Sequence, residues 1–357
     1  MKEIPIANVY FLLCYAWRWA QERDAATLRE IEGLSSAQDL LGKILAGGVH
    51  HLVRRGIDRG YLERREDLAG IRGKLAVGET AKRALRSRGR AACDFEELSL
   101  DILPNRILRT SLVALRRLGR RRAGADTGLD ATVYTEVAVA CRSLSDISSL
   151  PRLDRRAFGL VQMDRNRRLY RFLLSVCRLL HEHLFIDEES GATHFRDFRR
   201  DQAQMWALFE GFVTEFYRRE QRGFHVNRGG RRIDWWEADA ATADDRNKIP
   251  VMEADLLLDG PERRIIMDTK YYAEALGGRH GASKLHSSNL YQLLAYLRNR
   301  QATRPRGARH EGILLYPEVD TPLAADIRLD GFRIQARTID LSQDWRLIHR
   351  ALLRAIE

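Results

Sequence analysis

Asp255, Asp268 and Lys270 fall within residues 251–272 (VMEADLLLDGPERRIIMDTKYY), at a spacing that a β-hairpin turns into one chemical patch. Asp259, Gly260 and Pro261 give a turn signal between two apolar runs. With Gly260 to Arg263 as a four-residue loop, Asp259 faces Arg264, and the same ladder sets Asp255 opposite Asp268. Directly opposed residues hold their Cβ atoms roughly 5 Å apart on one face. Lys270 lies two positions on and points the same way. Two opposed carboxylates repel, so a cation must offset them. Mg²⁺, or Mn²⁺ in its place, takes carboxylate oxygens and water. A lysine beside such an ion helps to orient or deprotonate water, while the metal stabilises charge on a phosphate. The chemistry expected is phosphodiester hydrolysis, with Asp255 and Asp268 as metal ligands and Lys270 as a catalytic group. The bland alternative is a surface hairpin carrying an ordinary Asp–Lys ion pair.

Two further features stand in the right order around the hairpin. Gln292 and Tyr296, four apart in a helical stretch, share one helix face. They join the expected catalytic set and resemble the QxxxY motif of the RecB-like branch of the PD-(D/E)xK nucleases. Upstream, Glu210 sits at the margin of an apolar helical stripe formed by Trp206, Phe209, Phe212, Val213 and Phe216. From there an acid reaches the same metal from the side, as a third ligand. The segment from Glu274 to Ser288, rich in Gly, Ser and His, reads equally as a mobile loop over a substrate and as a plain connector. No His pair in it has metal-ligand spacing.

The elements that must position these groups are a helix over 203–220, strands near 233–236, 250–258 and 264–272, a helix over 288–299 and a strand over 312–316. This α-β-β-β-α-β order resembles that of the PD-(D/E)xK nucleases, although element order alone is an analogy. Before it, residues 1–56 read as helical, 60–100 as short strands and turns, 105–122 as a helix and 165–185 as another. The 105–122 helix sets apolar Ile107, Leu108, Leu112, Leu115 and Leu118 against seven arginines. The break from Ser143 to Asp154, with Pro151, marks a domain boundary near 155.

The whole chain has 357 residues and a formal net charge of +11. A basic surface suits nucleic acid, although a bias toward arginine codons gives the same count. Cys14, Cys93, Cys141 and Cys177 form no CxxC pair, so neither a zinc site nor a disulfide framework is expected, which fits a cytoplasmic protein. No apolar run reaches transmembrane length, and no GxxxxGK[ST] occurs, so any nucleotide motor must be a partner.

Stretches along nearly the whole chain resemble the McrC family, the nuclease subunits of McrBC modification-dependent restriction systems. They are residues 4–17 (IPIANVYFLLCYAW), 64–74 (RREDLAGIRGK), 95–99 (FEELS), 105–109 (NRILR) and 267–272 (MDTKYY). Ala254 departs from the proline of the PD motif; that proline shapes backbone and is not a ligand. The resemblance implies a mixed α/β fold: an N-terminal α+β partner-docking domain over 1–155, then a PD-(D/E)xK αβββαβ nuclease domain over 156–357. It also implies a partner, the McrB-like hexameric AAA+ GTPase, which reads modified cytosine and translocates double-stranded DNA while this subunit cuts. Arg72, Arg120, Arg121 and Arg122 are the candidates for stimulating that GTPase, since a guanidinium stabilises charge on a transferring phosphoryl group. Two rival readings are a RecB-like repair nuclease and a non-catalytic adaptor of an AAA+ motor.

Overall fold

The computed structural model describes residues 2–19, 30–121, 128–162, 167–187, 191–226, 232–236, 239, 242–271, 276–277, 284–303, 307–319 and 321–357. It separates into two units, Met1–Ser35 with Phe198–Glu357, and Ser36–Asp197. This is not the boundary expected near 155.

The first helix, α1 (Ile6–Ala16), belongs with the C-terminal elements. The unit over 36–197 follows in sequence. Its elements are α2 (Ala37–Arg55), β1 (Gly60–Leu68), β2 (Lys74–Leu75), α3 (Val77–Lys82), β3 (Ala91–Ser99), α4 (Leu103–Arg117), α5 (Ala131–Ser143), α6 (Arg155–Gly159), α7 (Arg168–His183), β4 (Leu184–Ile186) and β5 (Thr193–Phe195). Strands β1, β3 and β2 form an antiparallel sheet in that order. Helix α7 lies beyond the expected boundary, yet it packs on α2 and α4. The reason is its apolar face: Phe172, Leu173, Val176 and Leu180 are all buried. The Pro151 break is a connector within this unit. Ser148 donates its N–H and hydroxyl to Asp101, at 2.8 and 2.9 Å. The arginine-rich helix is shorter than expected, because the chain turns at Gly119, whose φ of +73° favours glycine.

The second unit continues with α8 (Gln202–Glu220), β6 (His225–Val226), β7 (Arg232–Ile233), α9 (Ala243–Asn247), β8 (Met252–Glu253), β9 (Leu256–Asp259), β10 (Arg263–Thr269), β11 (Leu276–Gly277), β12 (Lys284–Leu285), α10 (Ser287–Thr303), β13 (Arg309–Pro317), β14 (Ala324–Leu329), β15 (Phe332–Ile339) and α11 (Trp345–Arg354). The main sheet runs β14-β15-β13-β10-β9-β6, with β10, β13 and β15 parallel at its centre. Parallel strands are buried on both faces, and Ile313, Leu314, Leu315 and Tyr316 of β13 are all buried.

Helix α10 covers one face, where Leu293 and Leu297 meet Leu257, Ile266, Leu314 and Ile334. An aromatic cluster joins α1, α8 and α11. Phe11 stacks on Trp345 at 4.3 Å, and Tyr15 sits 5.7 Å from both Phe212 and Phe216. This packing draws α1 into the unit. The expected element order holds with two corrections. The strand near 233 is the two-residue β7, which pairs with β8 outside the main sheet. The strand expected over 250–258 breaks at Ala254-Asp255 into β8 and β9.

Gly312 of β13 lies directly beneath α10. A Cβ there would stand 2.8 Å from Leu293 Cδ2 and 3.1 Å from Leu297 Cδ1. Gly312→Val is therefore expected to destabilise the unit by about 1–3 kcal/mol through overpacking. Urea unfolding measures this, and an unchanged midpoint would show that α10 can retreat freely.

Candidate active site

The hairpin has the expected register: Arg264 faces Asp259 and the ladder continues to Met267 opposite Leu256. The pairing ends there, one step short of Asp268 and Asp255. The break in the strand has a local cause. Asp255 Oδ2 accepts the backbone N–H of Thr269 at 2.7 Å and its hydroxyl at 2.6 Å. A side-chain carboxylate thus stands where the ladder would otherwise continue.

Asp268 is 2% exposed. Its Oδ2 lies 2.7 Å from Lys270 Nζ. That ammonium also donates to Gln292 Oε1 at 3.1 Å. Gln292 Nε2 donates to the Tyr296 hydroxyl at 2.8 Å, which donates to the Glu253 carbonyl at 3.0 Å. Four of the five expected catalytic residues therefore form one chain of contacts, with Asp255 held beside it. The amide of Gln292 presents its oxygen to the ammonium because its nitrogen is committed to Tyr296.

Burial pushes the Asp268 carboxyl up to about 6, Asp255 adds to the rise, Lys270 opposes it, and Glu210 contributes a smaller repulsion. Burial also raises the Tyr296 phenol. Glu210 is half-buried on α8, and its charge is felt at Asp268. Among the described residues, however, no three His, Cys, Asp or Glu side chains gather at metal-holding spacing. The expected ligand set of Glu210, Asp255 and Asp268 is thus not closed into a three-acid cluster.

In kind, the donors still fit a hard divalent cation. Oδ2 of Asp268 is buried and accepts no well-aligned hydrogen bond despite the nearby ammonium. The neighbouring carboxylates repel it. A cation beside it relieves both.

The family model described as "McrBC 5-methylcytosine restriction system component" matches residues 11–317. The chain belongs to this McrBC family. It is 33% identical over 351 residues to the type IV methyl-directed restriction enzyme EcoKMcrBC of Escherichia coli K12, covering 98% of this chain and 96% of that relative. It also matches a chain in the refined half-complex from the tetradecameric assembly of Thermococcus gammatolerans McrB AAA+ hexamers with bound McrC. That match has a TM-score of 0.56 at 16% identity, over 99% of this chain and 75% of the other, and it shows a shared mixed α/β fold.

In this McrBC-family chain the candidate arginines differ among themselves. Arg72 is exposed and lies over the Phe95 ring at 4.1 Å. Arg120 is exposed. Arg121 is not available at the surface in the same way, because it pairs with buried Asp39 at 2.5 Å. Arg122 and most of the expected 274–288 loop lie outside the described residues.

Two residues of the site escaped the sequence pattern. Thr269 clamps Asp255, and Tyr271 packs against Phe209 while its carbonyl accepts from Gln202. Neither shares the two-residue spacing that links Asp268 to Lys270, so spacing gave no signal for them. Trp206, counted in the apolar stripe of α8, is 44% exposed.

The Asp268 shift has a consequence for stability. Its folded pKa, about 6, exceeds the ordinary 3.8, so the folded state holds the proton more tightly than the unfolded chain. This contribution is fully present below about pH 4 and is lost as pH rises through about 6. In metal-free buffer, the stability of Asp268→Asn relative to wild type is expected to rise as pH increases through that window and to level off above it. Calorimetry in a chelator at both ends of the window measures the difference; a pH-independent difference would mean that Asp268 is not held at raised pKa.

Proposed function

We propose that this McrBC-family chain is the DNA-cutting subunit of a modification-dependent restriction system, acting in the cytoplasm with an McrB-like hexameric AAA+ GTPase. The observation that carries this reading is the buried Asp268–Lys270 ion pair at the C-terminal end of β10, with Asp255 held nearby by the Thr269 N–H and hydroxyl. Its arrangement supports a PD-(D/E)xK-type nuclease. Asp255 and Asp268 would hold Mg²⁺ (or Mn²⁺), with Glu210 approaching from α8. When bound, the ion supplies Lewis-acid stabilisation of charge on the phosphate.

The chain's own side chains do the rest. Gln292 holds the Lys270 ammonium in place through its Oε1. Tyr296 fixes that amide and is itself anchored to the Glu253 carbonyl. Lys270 is thereby positioned to hold the attacking water by a charge-assisted hydrogen bond. Ala254 in place of the motif's proline is buried and changes no donor.

The relatives named for McrB and for 5-methylcytosine restriction support the partner and the substrate, double-stranded DNA carrying a modified cytosine. Because residues 1–155 do not form a unit by themselves, we assign the docking role to the 36–197 unit.

The test combines the full chain with the adjacent-gene GTPase, a 5-methylcytosine duplex and Mg²⁺, and measures cutting and GTP turnover. Cutting that requires the metal, and turnover that rises on mixing, are expected. Cutting that persists in a chelator would refute the metal-dependent reading, and unchanged turnover would refute the partnership.

A further inference from the structure

The apolar pattern counts Trp206 with the core of α8, yet the residue is 44% exposed. The side chains that this helix buries are others, among them Met205, Leu208, Phe209, Phe212 and Phe216. Trp206 stands on the flank of that stripe.

A helical residue has its neighbours three and four positions away. For Trp206 these are Gln202, Ala203, Phe209 and Glu210. Gln202 Nε2 donates to the Tyr271 carbonyl at 3.1 Å, and the Phe209 ring lies 6.1 Å from the Tyr271 ring. Trp206 is therefore set between two side chains that both meet Tyr271, the residue that follows Lys270. Glu210, one turn on, makes its charge felt at Asp268. Ala203 is exposed and too small to cover an indole. The ring is thus held beside the strand end that carries the candidate catalytic groups, and it stays open to solvent.

An indole is a large apolar body, and leaving nearly half of it in water forgoes burial. A partner that covers it gains that burial. Charge decides which partner fits. Arg200, just before α8, is exposed, and no ion pair holds it among the described residues. The whole chain carries a net charge of +11, which opposes a second copy and attracts a polyanion.

We propose that Trp206 is a substrate-contact residue, its indole packing on the sugar and base edge of the nucleotide beside the scissile phosphate. This rests on the nuclease reading. Trp206 takes part in no bond change, so its loss should weaken substrate binding and spare the chemical step.

The experiment uses the full chain with the adjacent-gene GTPase, a 5-methylcytosine duplex and Mg²⁺. Trp206→Ala is expected to raise KM for the duplex by about tenfold, with kcat within a few fold of wild type and Mn²⁺ affinity and Tm unchanged. Trp206→Phe should restore most of the loss, and Trp206→Leu should not, because a flat ring is what the contact needs. A second readout leaves Trp206 in place. Lys270→Met, which holds DNA without cutting it efficiently, is irradiated on a duplex carrying 5-iodouracil beside the cut position mapped with wild type. The crosslinked peptide is expected to contain Trp206. Unchanged KM in Trp206→Ala, or a crosslink that misses Trp206, overturns the proposal while the nuclease reading stands. A Trp206→Ala change in the mass of the free chain in solution also overturns it, and assigns the indole to contact between copies. A wild-type chain that does not cut at all refutes the nuclease reading, and this proposal with it.

Discussion

Lys270→Met is expected to lower DNA cleavage by about 10²- to 10⁴-fold, the usual loss when a positioned proton-transfer group is removed, while the protein stays folded. Methionine replaces most of the lysine stem and removes only the ammonium, which is held between Asp268 Oδ2 and Gln292 Oε1. Asp255 and Asp268 remain. Without the nearby positive charge they should bind a divalent cation at least as tightly as before, because one repulsive neighbour of the ion is gone. Asp268→Asn should behave differently, losing both cleavage and metal affinity. Calorimetric titration with Mn²⁺ beside a plasmid-nicking assay separates the two roles. If Lys270→Met cuts within a few fold of wild type, the ammonium only neutralises Asp268 and the water is held by another group. If it instead loses metal binding together with cutting, the site has collapsed and the assignment of Lys270 is wrong.

The hairpin was readable because two constraints agreed. A turn signal fixed the loop, and a strand period of two then fixed which side chains share a face; the observed register is the expected one as far as Met267 opposite Leu256. The Gln292–Tyr296 pair was readable for the corresponding reason in a helix, where four residues return to the same side. What escaped were features that depend on competition or on distant packing. The break at Ala254-Asp255 arises because an aspartate side chain captures the Thr269 N–H, and a hydrophobic pattern records no such capture. Residues 1–155 looked like a domain because Ser143 to Asp154 resembles a linker. The actual division is set by apolar faces meeting across long stretches of sequence, Tyr15 of α1 with Phe212 and Phe216 of α8, and α7 with α2 and α4. The Glu210 placement was only half legible. Its position on α8 brings its charge to Asp268, yet no closed three-acid cluster forms among the described residues.

Asp39→Ala is expected to destabilise the 36–197 unit by about 3–5 kcal/mol, the cost of removing one partner from a buried ion pair. Asp39 is 1% exposed and joins three parts of the unit. It lies in the first turn of α2, where its N–H is capped by Ser36. Its Oδ1 accepts the Asp130 N–H at the start of α5 at 2.8 Å, and its Oδ2 holds Arg121 Nη2 at 2.5 Å. Alanine removes all the carboxylate bonds and leaves the partly buried guanidinium without its counter-charge. Asp39→Asn keeps hydrogen-bonding capacity and should cost less. Arg121→Ala should approach the Asp39→Ala loss, whereas Arg120→Ala, at an exposed position, should stay within about 0.5 kcal/mol of wild type. Urea midpoints of the four variants test this ordering. It also decides how the partner assay is read: a loss of GTPase stimulation in Arg121→Ala that tracks its lost stability is a folding effect. The same loss in Arg120→Ala or Arg72→Ala, at unchanged stability, places the stimulating guanidinium at that exposed position. If Asp39→Ala unfolds at the wild-type midpoint, the Asp39–Arg121 pair does not hold the unit together, and Arg121 returns to the candidates for contact with the partner.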